Sequence, residues 1–145
     1  MSDLQDLYQE VIIDHSRRPR NFCECDTASH KADGYNPLCG DKLKLYLNIK
    51  NNIIESACFK GEGCAISTAS ASLMTEMLKG KTIEEADRLF EDFHHMVTEE
   101  GDTDNLGKLE VLAGVRTFPM RVKCATLAWH TLRAALHNEK SATTE

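Results

Sequence analysis

The chain has 145 residues, of which 41% are hydrophobic and 28% charged, a balance that suits one globular domain with its own core. Seventeen Lys and Arg against 23 Asp and Glu leave a net charge of −6, which argues against nucleic acid as the main partner because no basic stripe is available to displace counterions. No apolar run approaches the roughly 20 residues that cross a bilayer. The start, Met1-Ser2-Asp3-Leu4-Gln5, carries neither the basic nor the apolar part of a secretory signal, so a cytoplasmic location with reduced thiols is expected.

Residues 2–15 read as an amphipathic helix, with Leu4, Leu7, Tyr8, Val11 and Ile12 on one stripe and Ser2 and Gln5 at capping-box spacing. Arg17-Arg18-Pro19-Arg20-Asn21 ends it, since the residue before proline avoids the helical region. The arginines of this run are expected in a solvated turn. Residues 22–30 lack a period and read as a loop. A strand is expected near Lys31–Tyr35. Leu43, Leu45, Leu47 and Ile49 alternate with Lys42, Lys44, Tyr46, Asn48 and Lys50, a strand with one wet face. Asn51-Asn52 makes a tight turn, and Ile53–Lys60 returns.

Helices fill the second half. Ile66, Ala69, Ser70, Leu73, Met74, Met77 and Leu78 form a stripe that Gly80 closes. Thr82 and Glu85 cap the next helix, whose apolar face is Ala86, Leu89, Phe90 and Phe93. Glu99–Asn105 reads as an exposed acidic loop, Leu106–Ala113 as a short helix and Ala125–His137 as the last helix. Strands first and helices after predict an α+β fold, a small three-stranded antiparallel sheet packed against several helices. One domain over residues 1–140 and a frayed tail over 141–145 are expected.

Three of the six cysteines carry the chemistry. Cys39 stands in Pro37-Leu38-Cys39-Gly40-Asp41, with Asp41 on the same side if the segment is extended. Cys64 follows Gly61-Glu62-Gly63 and precedes a helix, where unpaired N–H groups favour a thiolate. Cys124 is expected to open the last helix with the same advantage, and Arg121 and Lys123 add positive charge. Three thiolates and one carboxylate are what a tetrahedral Zn²⁺ takes, and thiolates also hold iron–sulfur clusters. The spacings match no zinc finger, so the fold has to bring the loops together. Cys23, Cys25 and Cys58 read as packing or loop residues rather than disulfide partners, and His15, His94, His95 and His130 as helix-face residues.

Asn36-Pro37-Leu38-Cys39-Gly40-Asp41, Gly61-Glu62-Gly63-Cys64-Ala65-Ile66-Ser67-Thr68-Ala69-Ser70 and Cys124 resemble the IscU-like family of iron–sulfur cluster assembly proteins. The run His15-Ser16-Arg17-Arg18-Pro19-Arg20-Asn21 is similar to that family's segment after its first helix, and the likeness covers roughly residues 3 to 137. Lys123 stands where the scaffold branch carries a histidine. Phe118-Pro119-Met120-Arg121-Val122 lacks that branch's paired prolines, and an inserted stretch falls around residues 80–112. These features resemble the SufU branch. The resemblance implies a zinc-dependent sulfur acceptor, a sulfurtransferase that takes persulfide sulfur from a SufS-type cysteine desulfurase and serves downstream iron–sulfur assembly proteins. It implies Cys39, Asp41, Cys64 and Cys124 as metal ligands, Cys39 as acceptor and Arg121 as an aid to the released group. Two alternatives stay open: a scaffold carrying a [2Fe–2S] cluster on the same cysteines, and a zinc-stabilised binding module without chemistry.

Overall fold

The computed structural model describes residues 3–37, 40–98, 106–139 and 141–143. Ser2 of the expected first cap, Cys39, the expected loop Glu99–Asn105 and the last two residues of the expected tail lie outside them. The chain runs α1 (Asp3–Arg17), β1 (His30–Asn36), β2 (Asp41–Lys50), β3 (Ile53–Glu62), α2 (Ala65–Leu78) and α3 (Ile83–Thr98), then a 3₁₀ segment (Gly107–Thr117), α4 (Pro119–Leu136) and β4 (Ser141–Thr143).

The sheet has the order β3-β2-β1-β4. The first three strands are antiparallel, as the alternation predicts. Asn51 and Asn52 both take positive φ, 53° and 66°, which lets a two-residue turn follow the strands' twist. The sheet has four strands rather than three because Ser141–Thr143, expected to fray, pairs in parallel with Asp33–Tyr35. A three-residue strand is too short to show a period, and its pairing depends on where α4 delivers the chain.

Leu43, Leu45, Leu47, Ala57 and Phe59 turn to one face of the sheet and are buried there with α2 and α4. The opposite face carries Lys42, Lys44, Ser56, Cys58 and Lys60. Phe93 of α3 stacks on Trp129 of α4 at 4.4 Å between ring centroids. Gly34 of β1 admits α4 closely, since a Cβ there would meet Thr131 and Leu127. Thr82 and Glu85 form the expected reciprocal cap: the Thr82 N–H donates to Glu85 Oε1 at 3.0 Å and the Glu85 N–H to Thr82 Oγ1 at 3.1 Å. On α1, Tyr8, Val11 and Ile12 pack on the core, whereas Leu7, expected in the same stripe, is 53% exposed.

Two expectations about cysteines need correction. The last helix begins at Pro119, not Ala125. Proline at the first helical position has a fixed, helix-ready φ and lacks an N–H that would be unpaired there anyway. Cys124 is therefore the sixth helical residue and has no helix-start advantage. Cys23 and Cys58 form a disulfide, although both were expected as unpaired thiols. The chain after α1 pairs with the free edge of β3, where Phe59 N–H donates to Asn21 C=O at 3.0 Å, and that pairing sets the two sulfurs together.

Candidate metal centre

Asp41 is the first residue of β2 and pairs across the β1–β2 connection with Asn36, the last of β1. Gly40 precedes it with φ +76° and donates its N–H to Asn36 C=O at 2.8 Å. That positive φ favours glycine. The Asp41 side chain is only 3% exposed. A buried carboxylate needs partners, and the next strand connection supplies them. The Cys64 N–H donates to Asp41 Oδ1 at 3.0 Å, and the Cys64 thiol lies 3.7 Å from Oδ2.

Cys64 is the N-cap of α2, as the glycine-rich approach predicts. It is extended, and its sulfur accepts the Ser67 N–H at 3.4 Å. The sulfur thus occupies the place usually taken by a cap oxygen, where free N–H groups and the helix dipole favour negative charge. Gly63 lets the same packing close tightly, since a Cβ there would lie 3.0 Å from Asp41 Oδ1.

Cys124 reaches the same point from α4. It is buried, and the Asn36 side-chain amide donates toward its sulfur at 4.0 Å. One contact fixes α2 against α4. Ser70 Oγ donates to Ala125 C=O at 2.6 Å and accepts the Trp129 indole N–H at 3.1 Å, with all partners buried. Ser70 lies six residues beyond Cys64 and Ala125 directly follows Cys124, so this contact holds the two cysteines at a set separation.

The ligand atoms of Asp41, Cys64 and Cys124 all lie within 4.8 Å of one another, the one such group of three or more metal-ligating side chains among the described residues. Donors around a four-coordinate zinc at about 2.3 Å stand roughly 4 Å apart, so small side-chain movements close this triangle on an ion. With both thiols ionised, the cluster would place three negative charges in a half-buried pocket, which a divalent cation offsets and a protonated thiol avoids. The residues present therefore fit a metal. Arg121 lies one turn before Cys124 on α4, and its guanidinium stacks on the Phe118 ring at 4.4 Å. It borders a groove of about 550 Å³ lined by Tyr8, Ile12, Ile66, Val115 and Phe118.

The other histidines have structural partners. His15 is 1% exposed, with Nδ1 2.7 Å from Ser72 Oγ and Nε2 3.6 Å from Glu76 Oε1. Sequence reading placed it on a helix face but gave no sign of this buried link between α1 and α2. His130 stacks edge-on against Phe90.

The profile of the NifU-like N terminal domain family matches residues 7–125. The chain is 43% identical over 141 residues to the Bacillus subtilis zinc-dependent sulfurtransferase SufU, covering 96% of this chain and 95% of that one. It is 42% identical over 144 residues to the iron–sulfur cluster assembly scaffold protein IscU of Streptococcus pyogenes, covering 98% and 90%. The crystal structure of FiSufU from Fervidobacterium islandicum superimposes with a TM-score of 0.85 at 36% identity, covering 91% of this chain and 98% of that one. A nitrogen-fixing NifU-like protein of Brucella abortus shares the fold at 19% identity with a TM-score of 0.82. The chain belongs to the NifU-like N-terminal domain family, among the SufU- and IscU-like proteins of iron–sulfur cluster assembly.

Proposed function

We propose that this chain is a zinc-dependent sulfur acceptor. In this reading it takes persulfide sulfur from a SufS-type cysteine desulfurase through Cys39 and hands it to later steps of iron–sulfur cluster assembly. The observation that carries the reading is the convergence of a buried carboxylate and two thiols from three separate elements within 4.8 Å. Cys39 stands two residues before Asp41 in the chain and would be the fourth donor. The 43% identity to a protein named as a zinc-dependent sulfurtransferase supports the same chemistry.

A bound zinc ion would hold the thiols as thiolates at neutral pH. A site with four protein ligands is closed, so transfer requires Cys39 to be released first. Its thiolate then attacks the outer sulfur of the partner's persulfide. The S–S bond of that persulfide breaks, the partner cysteine leaves as thiolate, and Cys39 carries the sulfur. Arg121, one turn from Cys124, would steady the released thiolate. The groove beside it is lined in part by Ile13 and Phe118, each more than two-fifths exposed, which suits an apolar contact with the desulfurase.

Cys39→Ala is expected to abolish stimulation of desulfurase turnover while the far-ultraviolet circular dichroism stays unchanged. Full stimulation by this variant would remove Cys39 from the acceptor role. The 42% identity to a protein named as a scaffold favours a second reading, in which the same thiolates hold a [2Fe–2S] cluster. Lys123, in place of the scaffold branch's histidine, weighs against it. Anaerobic reconstitution with iron and sulfide is expected to give no stable visible chromophore.

A further inference from the structure

The three cysteines that the metal centre does not use lie together on the opposite face of the sheet. Cys23 is bonded to Cys58. Cys25 is a free thiol two residues along the same loop. The Asn48 side-chain amide donates to Cys25 Sγ at 3.5 Å and to Ser56 Oγ at 3.2 Å. Asn48 pairs with Ser56 and Tyr46 with Cys58 in the β2–β3 ladder. Residues two apart share a strand face, so Cys25 lies beside the ladder pair next to that of Cys58 on the same face of the sheet. The start of the loop is anchored at the free edge of β3 by Phe22 against Phe59 and by Lys60 over the Phe22 ring at 4.2 Å.

We infer that Cys23, Cys25 and Cys58 form a thiol–disulfide exchange site, in which the loop is tied to β3 through either Cys23 or Cys25. The Cys25 thiolate attacks Cys58 Sγ. The Cys23–Cys58 bond breaks, a Cys25–Cys58 bond forms, and Cys23 leaves as a thiolate that takes up the proton Cys25 gave up. The number of disulfides is unchanged, so no oxidant or reductant enters the step. Hydrogen bonds from Thr27 and Asn48 lower the Cys25 pKa, which favours the attacking form. Glu24, between the two cysteines, walls a hollow over Tyr46 with Lys42, Lys44 and Lys60, so a change of tether resets that wall.

The test uses the full chain, held without reductant under argon in mildly alkaline buffer. It is then quenched with N-ethylmaleimide in denaturant, digested with trypsin and sequenced by tandem mass spectrometry. Cys23 and Cys25 fall in one peptide (21–31) and Cys58 in another (51–60). The expected result is a joined pair of peptides whose label divides between Cys23 and Cys25, and in Cys25→Ser the label on Cys23 is lost. Label on Cys25 alone, or on all three cysteines, would overturn the inference. In Cys23→Ser treated with oxidised glutathione, Cys25 is expected to pair with Cys58. A folded variant in which the two stay apart would overturn it as well.

Discussion

At the scale of single residues, Asp41 has two tasks that substitution can separate. Its carboxylate accepts the Cys64 N–H and, in the proposed function, is a donor to zinc. Asn keeps the acceptor and removes the charge. Asp41→Asn is therefore expected to fold with near-normal stability and to bind zinc more weakly in a competition titration with a chromophoric chelator. Asp41→Ala removes the acceptor of the part-buried Cys64 N–H and should cost about 0.5–1.5 kcal/mol in urea denaturation as well. Equal zinc affinity in wild type and Asp41→Asn would remove the carboxylate from the ligand set.

His15 gives a second residue-scale expectation. Its Ser72 partner already accepts the Arg20 N–H at 2.8 Å, which leaves the Ser72 hydroxyl to donate to His15 Nδ1. Burial, and then the Arg20 charge, lower the His15 pKa, against a smaller opposing pull from Glu76. The folded state therefore holds His15 neutral at a pH where the unfolded chain, near 6.5, already takes up a proton. Stability is full above the unfolded pKa and is lost as pH falls from it toward the lower folded value. His130 acts with the same sign, through burial and the neighbouring His94 and Arg133. Urea midpoints measured from about pH 7 down to about pH 5 should fall less steeply for His15→Gln than for wild type. The metal contribution is common to both proteins. Identical slopes would mean that His15 is not held neutral.

Among the elements, the β2–β3 ribbon and the start of α2 do most to place the metal centre, because two of its donors sit at their ends. Gly61 pairs with Leu43, and a Cβ there would press on the Lys42 carbonyl. Backbone cannot give way as a side chain can, so Gly61→Ala is expected to cost about 1–3 kcal/mol by overpacking, read as a lower urea midpoint. An unchanged midpoint would show that the ladder yields there.

Elements of this kind were legible to different degrees. Alternating Leu and Lys gave β2, paired asparagines gave the turn, and glycines before Cys64 gave the cap of α2, because each depends on neighbours in the chain. The expected start of α4 at Ala125 falls late because its first turn, Pro119–Val122, lacks an inward apolar stripe. The signal that marks it is the proline itself. The Cys23–Cys58 pair left no trace in the spacing. It depends on the path of a loop along the free edge of β3, which Phe22 and Asn21 set by contacting Phe59.

At the scale of the molecule, two chemistries sit on opposite sides of one sheet. The helix-covered side ends in the Asp41, Cys64 and Cys124 centre, and the outer side carries the disulfide and Cys25. No helix of the described residues is long and apolar enough to cross a membrane. The amino-acid sequence alone determined the donor types, their order, the α+β composition and the family likeness, because side-chain chemistry and periodicity are local properties. Only the tertiary structure decided that donors from the start of β2, the cap of α2 and the second turn of α4 meet. The distances among them are set by long-range contacts such as Ser70 to Ala125, where burial makes each hydrogen bond costly to lose. The same reason applies to the disulfide and to β4: each depends on where packing delivers a distant segment, and chain spacing does not encode that.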